Sequence, residues 1–362
     1  MQACREVYRD KCHDFAKLAE LQPSLASHLV WLPPRDESAS PSSAGARRAT
    51  IDFAREESVE ELTRCILRQD FGISWERPPR SLIPPVPNRL TYLLWLRDLV
   101  LSTKPSDGEG GVRGVDVGTG GTLIYPLLGA SAFGWTFLAT ESCEYSLGWA
   151  ERNRASNAGV KDLITVRDSK GGVLLGVVDE GARYDFCMCN PPFFDVTEER
   201  SLHKPGHGGL ENELRCPGGE AGFVGRMISD SLVMKGQVLW YTTMIGRKKT
   251  LKALLARLRG EKDVKGIRTT TFVCGRTTRW GLAWTLTSVS VDLERVKRRK
   301  TRDAIAADGE ESDEVRANKA RRKQAKLERR KKARESEERA RLAEEESADQ
   351  DLMRAMGFDG FA

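Results

Sequence analysis

The sequence predicts an α/β fold with a mostly parallel sheet and helices on both faces. Short apolar runs alternate with helical patterns between residues 114 and 260, as in strands joined by crossover helices. The runs are continuously apolar, which is typical of parallel strands that are buried on both sides. Two last strands are predicted at 269–274 and 281–287, with the turn GRTTRW between them.

Two helices are predicted ahead of the sheet. Residues 58–72 begin with a serine N-cap, carry Glu61 at the capping-box position and end at Gly72. A second helix, 89–101, follows the rigid stretch PPVPN. Residues 33–49 are rich in Pro, Ser and Arg, so we expect a flexible insertion there.

The remaining elements follow in order along the chain. The predicted strands are 114–118, 135–141, 163–168, 184–190 and 237–244. Helices are predicted between these strands at 143–157, 221–234 and 248–259, and residues 121–132 are predicted as a turn followed by a helix.

Composition and charge give few constraints on function. The chain has 362 residues and 40% hydrophobic content, enough for one large domain or two ordinary ones. The net charge is +6, and the tail from Arg295 onward has 20 basic and 16 acidic residues, an excess of four. The rest is close to neutral, which supports an anionic partner only weakly. The tail lacks an apolar stripe, which favours a solvated helix or a segment disordered until bound.

The eight cysteines follow no disulfide or zinc spacing. We therefore expect reduced thiols in an intracellular protein, and no metal site. The sequence shows no signal-peptide core and no apolar run near the roughly 20 residues of a membrane span.

A glycine-rich turn, VDVGTGG at 115–121, follows the first predicted strand of the sheet and opens a helix. Glycine allows the backbone to approach a ligand closely, and the helix N-terminus offers free N–H groups. Glu141 ends the next strand, where a carboxylate is placed to accept hydrogen bonds from two ribose hydroxyls. No Walker lysine follows, which indicates a cofactor without a diphosphate, such as S-adenosylmethionine. Asp116, Gly118 and Gly120 complete this candidate cofactor site.

The stretch YDFCMCNPPFF, 184–194, ends a buried strand with two prolines, which cannot continue a strand ladder. Asn190 therefore lies at a carboxyl strand end, where open α/β sheets bind ligands. The Asn190 side-chain oxygen and the Pro191 carbonyl can accept the two N–H groups of an exocyclic amine. Phe193 or Phe194 can stack on the flat base. The alternative is a proline-terminated strand that packing rings merely cover.

Several blocks resemble the family of RNA adenine-N6 methyltransferases that modifies U6 small nuclear RNA in eukaryotes. They are DVGTGGTLIYPLLGA, GWTFLATE, YDFCMCNPPFF, CGRTTRWGLAW, RQDFGI and LIPPVPNRLTYLLWL. A bacterial relative of that family acts on large-subunit ribosomal RNA. The resemblance covers about residues 5–290. It implies a class I S-adenosylmethionine-dependent methyltransferase fold, Rossmann-like with a seven-stranded mixed sheet.

The resemblance also implies a domain plan and site residues. An N-terminal RNA-binding extension would cover 1–105, the methyltransferase domain 106–292 and a charged tail, helical or disordered, 293–362. Arg89, Gly118 and Glu141 would contact S-adenosylmethionine, and Asn190 would begin a catalytic motif that continues through Pro191, Pro192 and Phe193. A further cofactor contact is implied near Val173. There Gly172-Val173 replaces the Lys-Thr pair of family members. We therefore expect this loop to contact the cofactor through its backbone.

Basic and aromatic side chains near the last strands are candidates for RNA binding. Arginines flanking the GRTTRW turn can bind phosphate bidentately, with an adjacent tryptophan behind them. The full candidate set is Phe194, Arg247, Lys248, Lys249, Arg276, Arg279 and Trp280. Residues 201–219 form a polar, glycine-rich insertion, either a mobile lid over a flipped adenine or a disordered surface loop.

The prediction is a monomeric nuclear RNA adenine-N6 methyltransferase, with cytoplasmic presence left open, acting on U6 small nuclear RNA. One alternative is methylation of another amine, a protein glutamine or a DNA base. Glutamine enzymes usually have Tyr after the prolines, and this chain has Phe193. The other alternative is a non-catalytic RNA-binding protein that docks splicing factors, against which the intact Gly118, Glu141 and Asn190 argue. The basic tail segments fit nuclear import, RNA binding or contact with a splicing factor.

Overall fold

The structure is a computed structural model that describes residues 13–33, 48–103, 111–198, 209–274 and 277–289. All of these belong to one compact unit, Met1–Val296, and the second unit, Lys297–Ala362, lies outside the described residues. The predicted boundaries near 105 and 292 therefore stay predictions. Within the described ranges, no helix is long and apolar enough to cross a membrane.

The described residues of the N-terminal part contain three α-helices and a strand pair. In chain order these are α1 (Phe15–Leu21), β1 (Leu29–Leu32), β2 (Arg48–Ile51), α2 (Glu56–Phe71) and α3 (Val86–Leu101). Helices α2 and α3 confirm the two predicted helices, with earlier starts. Gly72 ends α2 in the left-handed conformation, with φ at 63°, as a stop signal should.

The predicted serine cap of α2 is wrong, because the helix starts two residues before Ser58. Glu56 and Glu57 occupy the first turn, where negative charge complements the positive end of the helix dipole. The Ser58 hydroxyl is buried and lies 3.2 Å from the Nδ1 atom of His28. It therefore ties α2 to the preceding segment instead of capping the helix.

The predicted flexible insertion at 33–49 is wrong at its C-terminal end, where strand β2 begins. β1 and β2 are antiparallel, with Leu32 opposite Arg48. Arg48 and Ala49 therefore belong to a strand and not to a flexible segment. The rest of the predicted insertion, 34–47, lies outside the described residues.

The remainder of the chain forms the main sheet and the helices that cover it. Its elements are β3 (Arg113–Val117), α4 (Ile124–Phe133), β4 (Thr136–Glu141), α5 (Glu144–Ala155), β5 (Ile164–Asp168), β6 (Tyr184–Cys189), β7 (Phe194–Asp195), α6 (Glu211–Leu214), β8 (Arg215–Cys216), α7 (Gly219–Met234), β9 (Val238–Ile245), α8 (Lys248–Gly260), β10 (Gly266–Cys274) and β11 (Thr277–Thr285).

The main sheet has seven strands in the order β10-β11-β9-β6-β3-β4-β5. Strands β9, β6, β3, β4 and β5 run parallel to one another, and β11 pairs antiparallel with both β9 and β10. This confirms the predicted seven-stranded mixed sheet. The strand order reverses between β3 and β6, and ligands bind at such a switch point, outside the carboxyl ends of the strands.

Helices cover both faces of the sheet, as predicted. Phe186 and Met188 of β6 pack in one core cluster with residues of α2, α3 and α4. Cys187 and Cys189 pack in a second cluster with α7 and α8. Strand β6 is therefore buried on both sides, which explains its continuous apolar sequence.

The predicted insertion at 201–219 is ordered over its second half. Strands β7 and β8 pair in parallel, and the short helix α6 lies between them in sequence. Residues 209–219 are therefore not the disordered surface loop, and the alternative of a lid stays a prediction. Residues 199–208 lie outside the described part of the chain, so that half of the prediction stays open.

A chain of hydroxyl groups fixes the end of β6. The Thr242 hydroxyl donates to the Cys187 carbonyl at 2.8 Å, so it accepts from the Tyr92 hydroxyl, also at 2.8 Å. Tyr92, which is fully buried, in turn accepts the Cys189 N–H at 3.5 Å. A side chain of α3 thus satisfies β6 at the point where its pairing with β9 has stopped at Cys187.

Tyr92→Phe is expected to lower the free energy of unfolding by about 2 kcal/mol, because it leaves buried polar groups without a partner. Urea unfolding of the whole chain measures the difference. Tyr145→Phe is the matched control, since Tyr145 is 45% exposed and should change stability by less than about 0.5 kcal/mol. Equal effects in the two variants would contradict a supporting role for the Tyr92 hydroxyl.

Candidate active site

The glycine-rich turn begins directly after β3. Gly118 and Gly120 have φ values of 69° and 65°, which side chains rarely tolerate. A Cβ atom at Gly118 would meet no atom within 4 Å, so the space beside this glycine is open. The turn lines a cleft at the switch point of the sheet and leaves its backbone accessible there.

Glu141 ends β4 beside this turn, and backbone groups hold its carboxylate in place. Its Oε1 atom accepts the N–H groups of Ser142 and Cys143, each at 2.9 Å, and its Oε2 atom accepts that of Gly120 at 3.0 Å. Only 7% of the residue is exposed. A carboxylate has about four acceptor positions, so Glu141 retains capacity for hydroxyl donors in the cleft.

Asp116 lies within β3 and is 1% exposed. Its Oδ2 atom has no hydrogen-bond partner in the described chain, and burial raises the pKa of its carboxyl to about 7. The Arg89 guanidinium lowers that pKa only partly. Asp116 does not line the cleft, so it lies behind the predicted cofactor site.

Arg89 reaches the cleft from α3. It donates from Nη1 to the Tyr125 hydroxyl at 3.0 Å, and its buried Nε atom has no partner in the described chain. Tyr125 is itself buried, and burial raises the pKa of its phenol. A guanidinium with an unused buried donor is suited to a carboxylate or a similar anion.

Asn190 follows β6 and faces the glycine-rich turn across the cleft, which Cys189 and Pro192 also line. Its Oδ1 atom is buried and has no hydrogen-bond partner among the described residues. A buried amide oxygen without a partner costs free energy, so this atom is available to a ligand that donates a hydrogen bond to it.

The two phenylalanines of the motif lie under arginines. The Arg279 guanidinium carbon is 5.1 Å from the centre of the Phe193 ring, and that of Arg247 is 5.6 Å from the Phe194 ring. Phe194 is 43% exposed, so it offers an accessible aromatic face. Cation–π contacts of this kind bring basic groups beside the rings.

A buried carboxylate positions the loop behind Phe193. Glu220 of α7 is 2% exposed and accepts the N–H groups of Gly246 and Arg247, at 2.6 and 3.0 Å. Gly246 is close to Phe193, because a Cβ atom there would lie 2.8 Å from the ring. Glu220 thus holds the β9–α8 connection in place, and the glycine at position 246 leaves room for the Phe193 ring.

The predicted RNA-binding residues differ in how exposed their side chains are and in whether they already have a partner in the protein. Lys248 and Lys249 are exposed at the start of α8, where positive charge opposes the helix dipole. Arg247 forms two hydrogen bonds with Glu198, at 2.9 and 2.6 Å. Trp280 is partly buried against the second core cluster. Arg276 lies outside the described residues.

The side chain of Val173, a predicted cofactor residue, lies in the core and not in the cleft. Its side chain is 6% exposed and packs in the second core cluster. It is not among the residues that line the cleft. A backbone contact at this loop stays a prediction.

The cleft brings together six of the predicted residues: Arg89, Gly118, Gly120, Glu141, Asn190 and Pro192. It also contains residues that the sequence did not single out: Leu82, Pro84, Thr119, Thr122, Asn212, Glu213 and Phe223. The sequence does not reveal Glu213, because its stretch lies in the polar, glycine-rich insertion predicted at 201–219. Its only local signal is a glutamate at the third position of a helix too short to be predicted.

The side chains fit a ligand with a ribose and an anionic group. Arg89 and Asn190 present buried polar atoms without partners, and Thr119 has a buried hydroxyl in the same state. Glu141 is oriented for hydroxyls, and the glycine turn leaves room for close approach. S-adenosylmethionine carries both kinds of group, the hydroxyls of its ribose and the carboxylate of its amino acid.

A mixed seven-stranded sheet with this turn, acidic strand end and Asn-Pro-Pro-Phe motif defines a class I methyltransferase fold. Residues 2–288 match the model of a protein family described as RNA methyltransferase. The chain belongs to this RNA methyltransferase family, which confirms the resemblance stated from the motifs.

The chain is similar to three characterised relatives. It is 39% identical over 312 residues to the RNA N(6)-adenosine-methyltransferase METTL16 of Mus musculus, covering 82% of this chain and 53% of the relative. It is 34% identical to the U6 small nuclear RNA (adenine-(43)-N(6))-methyltransferase of Caenorhabditis elegans, covering 81% and 64%. It is 34% identical to the ribosomal RNA large subunit methyltransferase F of Methylobacillus flagellatus, covering 75% and 88%. The chain spans about half the length of the mouse relative.

Two solved structures share the fold. The catalytic domain of human METTL16 in complex with a MAT2A 3′UTR hairpin matches with a TM-score of 0.65 and 37% identity, covering 78% of this chain and 95% of that one. The N-terminal domain of human METTL16 in complex with SAH matches with a TM-score of 0.63 and 39% identity, covering 79% and 99%.

Asp116→Asn is expected to gain stability relative to the wild type as the pH rises from about 4 to about 7. The unfolded carboxyl ionises near its ordinary pKa of 3.8, whereas burial holds the folded-state pKa at about 7. The wild type therefore loses stability through this window, and the loss is complete above the folded-state pKa.

Urea unfolding of both proteins between about pH 5 and about pH 8 measures this difference, since all other titrating groups are shared. The difference should grow with pH and then level off. A difference that is independent of pH would contradict the raised pKa of Asp116.

Proposed function

We propose that this protein transfers a methyl group from S-adenosylmethionine to the N6 amine of an adenosine in structured RNA. The observation that carries the proposal is the buried Asn190 Oδ1 atom, which has no protein partner in the described chain and lies across the cleft from the glycine-rich turn. The mouse and nematode relatives, which are named as methyltransferases of the adenosine or adenine N6 position in RNA, support the same chemistry.

Four groups in this chain are assigned to the cofactor. Glu141 accepts the ribose hydroxyls, Arg89 binds the amino-acid carboxylate, and the backbone at Gly118 and Gly120 approaches the ligand. The loop at Val173 contributes through its backbone. When bound, S-adenosylmethionine supplies an electrophilic methyl group. The SAH complex of the human relative supports this cofactor.

The motif after β6 is assigned to the acceptor amine. Asn190 Oδ1 and the Pro191 carbonyl accept its two N–H groups, and Pro192 fixes the backbone that presents them. These acceptors hold the N–H groups out of the ring plane, which reduces conjugation of the nitrogen lone pair with the base. Phe193 stacks on the base and limits its orientation. The methylated amine is acidic enough to lose its proton later, so no general base is needed early.

RNA is assigned to the basic and aromatic surface beside the motif. Lys248, Lys249 and Arg279 bind phosphates, and Phe194 offers a face to an unstacked base. Arg247 joins them by exchanging Glu198 for a phosphate. Arg276 and Trp280 complete the predicted set.

U6 small nuclear RNA is the substrate we propose, because the nematode relative is named for it. The ribosomal RNA named for the bacterial relative and the hairpin bound by the human relative are the competing structured RNAs. A U6 substrate implies a nuclear protein. The charged tail is proposed to contact RNA or a splicing factor, and the catalytic unit to act as a monomer.

The purified chain is expected to methylate one adenosine of a U6 transcript when labelled S-adenosylmethionine is supplied. Mapping of N6-methyladenosine at nucleotide resolution locates the product. Asn190→Ala should abolish transfer and leave RNA affinity within about threefold, because the side chain contacts the reacting amine and not the phosphates.

Transfer to a ribosomal transcript or to the MAT2A hairpin alone would overturn the assignment of U6 as the substrate. The proposed methylation of adenosine N6 in structured RNA would still stand. Methylation of protein or DNA alone would overturn the RNA assignment. Loss of RNA affinity in Asn190→Ala, in step with loss of activity, would contradict the proposed role of Asn190.

Arg276→Ala combined with Arg279→Ala is expected to weaken RNA binding and to flatten its salt dependence. Each phosphate that the protein no longer neutralises lowers the slope of log K against log salt by about one. Arg268→Ala is the matched control, because Arg268 is exposed on the same hairpin, in β10 opposite Ala283, away from the turn. An unchanged slope in the double variant, or an equal change in the control, would rule out a phosphate role for the turn.

A further inference from the structure

Glu213 is a cleft carboxylate to which the mechanism above gives no role. It belongs to α6, in the insertion after the Asn-Pro-Pro-Phe motif, and lines the same cleft as Arg89, Glu141 and Asn190. Its Oε2 atom accepts two backbone N–H groups, that of Leu82 at 3.0 Å and that of Leu210 at 2.9 Å. One oxygen therefore joins the insertion to the segment before α3.

The other oxygen of Glu213 faces the glycine-rich turn. Its Oε1 atom lies 3.7 Å from the position that a Cβ atom at Gly120 would occupy. Among the described residues, no basic side chain lies within ion-pair distance of Glu213. Burial raises the pKa of this carboxyl, and the charge of Arg89 lowers it only partly. The carboxylate is thus directed at the ligand space and lacks a cationic partner.

The other two carboxylates near the cleft are committed elsewhere. Glu141 receives three backbone N–H groups and is assigned to the ribose. Asp116 is buried behind the cleft and does not line it. Glu213 is therefore the acidic group left for a cation, and Arg89, whose buried Nε donor has no partner in the described chain, lines the same cleft. A guanidinium and a carboxylate in one cleft complement a zwitterionic amino acid.

We infer that Glu213 binds the α-ammonium group of the cofactor, while Arg89 binds its carboxylate. The inference rests on the proposed S-adenosylmethionine-dependent function and adds a binding residue to it. Because Glu213 also connects Leu82 with Leu210, the same side chain recognises the amino-acid end and holds the insertion over the turn. A methylthioadenosine, which lacks the amino acid, gains nothing from this group.

Isothermal titration calorimetry with S-adenosylhomocysteine and with its deaminated analogue, which keeps the carboxylate, tests the assignment. Glu213→Gln retains the size of the side chain and one acceptor oxygen for the backbone. The variant should bind S-adenosylhomocysteine about tenfold more weakly than the wild type, as expected when a charge-assisted hydrogen bond is removed, and bind the deaminated analogue equally well. Glu211→Gln is the control, since Glu211 lies on the same helix, outside the cleft, and pairs with Arg215.

The two ligands separate recognition from structure. If Glu213→Gln weakens both ligands by the same factor, the carboxylate acts only by holding α6, and the inference is wrong. Equal losses in the Glu211 control would also overturn it. If the wild type binds neither S-adenosylhomocysteine nor S-adenosylmethionine, the proposed function itself fails, an outcome distinct from failure of Glu213 alone.

Discussion

The end of β6 is the constraint on which the site depends. Two prolines follow Asn190, so the chain cannot extend the ladder with β3 or β9 beyond this point. The Asn190 side chain is left at the switch point of the sheet, with a buried oxygen that the described protein does not satisfy. Such an atom is costly without a ligand, so the fold is organised around a donor that arrives from outside.

The rest of the molecule positions this atom from several sides. Tyr92 of α3 fixes the backbone of Cys189, one residue before Asn190, through its contact with Thr242. Helix α3 also carries Arg89 into the cleft. Helix α3 is therefore part of the framework that shapes the cleft. On the other side, Glu220 arranges the β9–α8 connection behind Phe193.

Elements with a clear apolar pattern can be predicted from the sequence. Very short elements, and elements that pair with segments distant in the chain, cannot. The parallel strands, their helices and the stop at Gly72 follow from local sequence. The β1–β2 pairing and the ordered α6–β8 segment do not, because each depends on partners distant in the chain and on elements of four residues or fewer. In the site, Gly118, Glu141 and Asn190 have strong local signals. Glu213 is held in the cleft partly by its contact with Leu82, which is distant in the chain and which no local pattern reveals.

The most direct test of the account is a crystal structure of this chain with S-adenosylhomocysteine and an RNA hairpin that it methylates. We expect the N6 amine of one extruded adenine to lie about 3 Å from both Asn190 Oδ1 and the Pro191 carbonyl, with Phe193 stacked on the base. If Asn190 Oδ1 instead bonds to protein atoms, and the amine is held elsewhere, the central claim about the end of β6 is wrong.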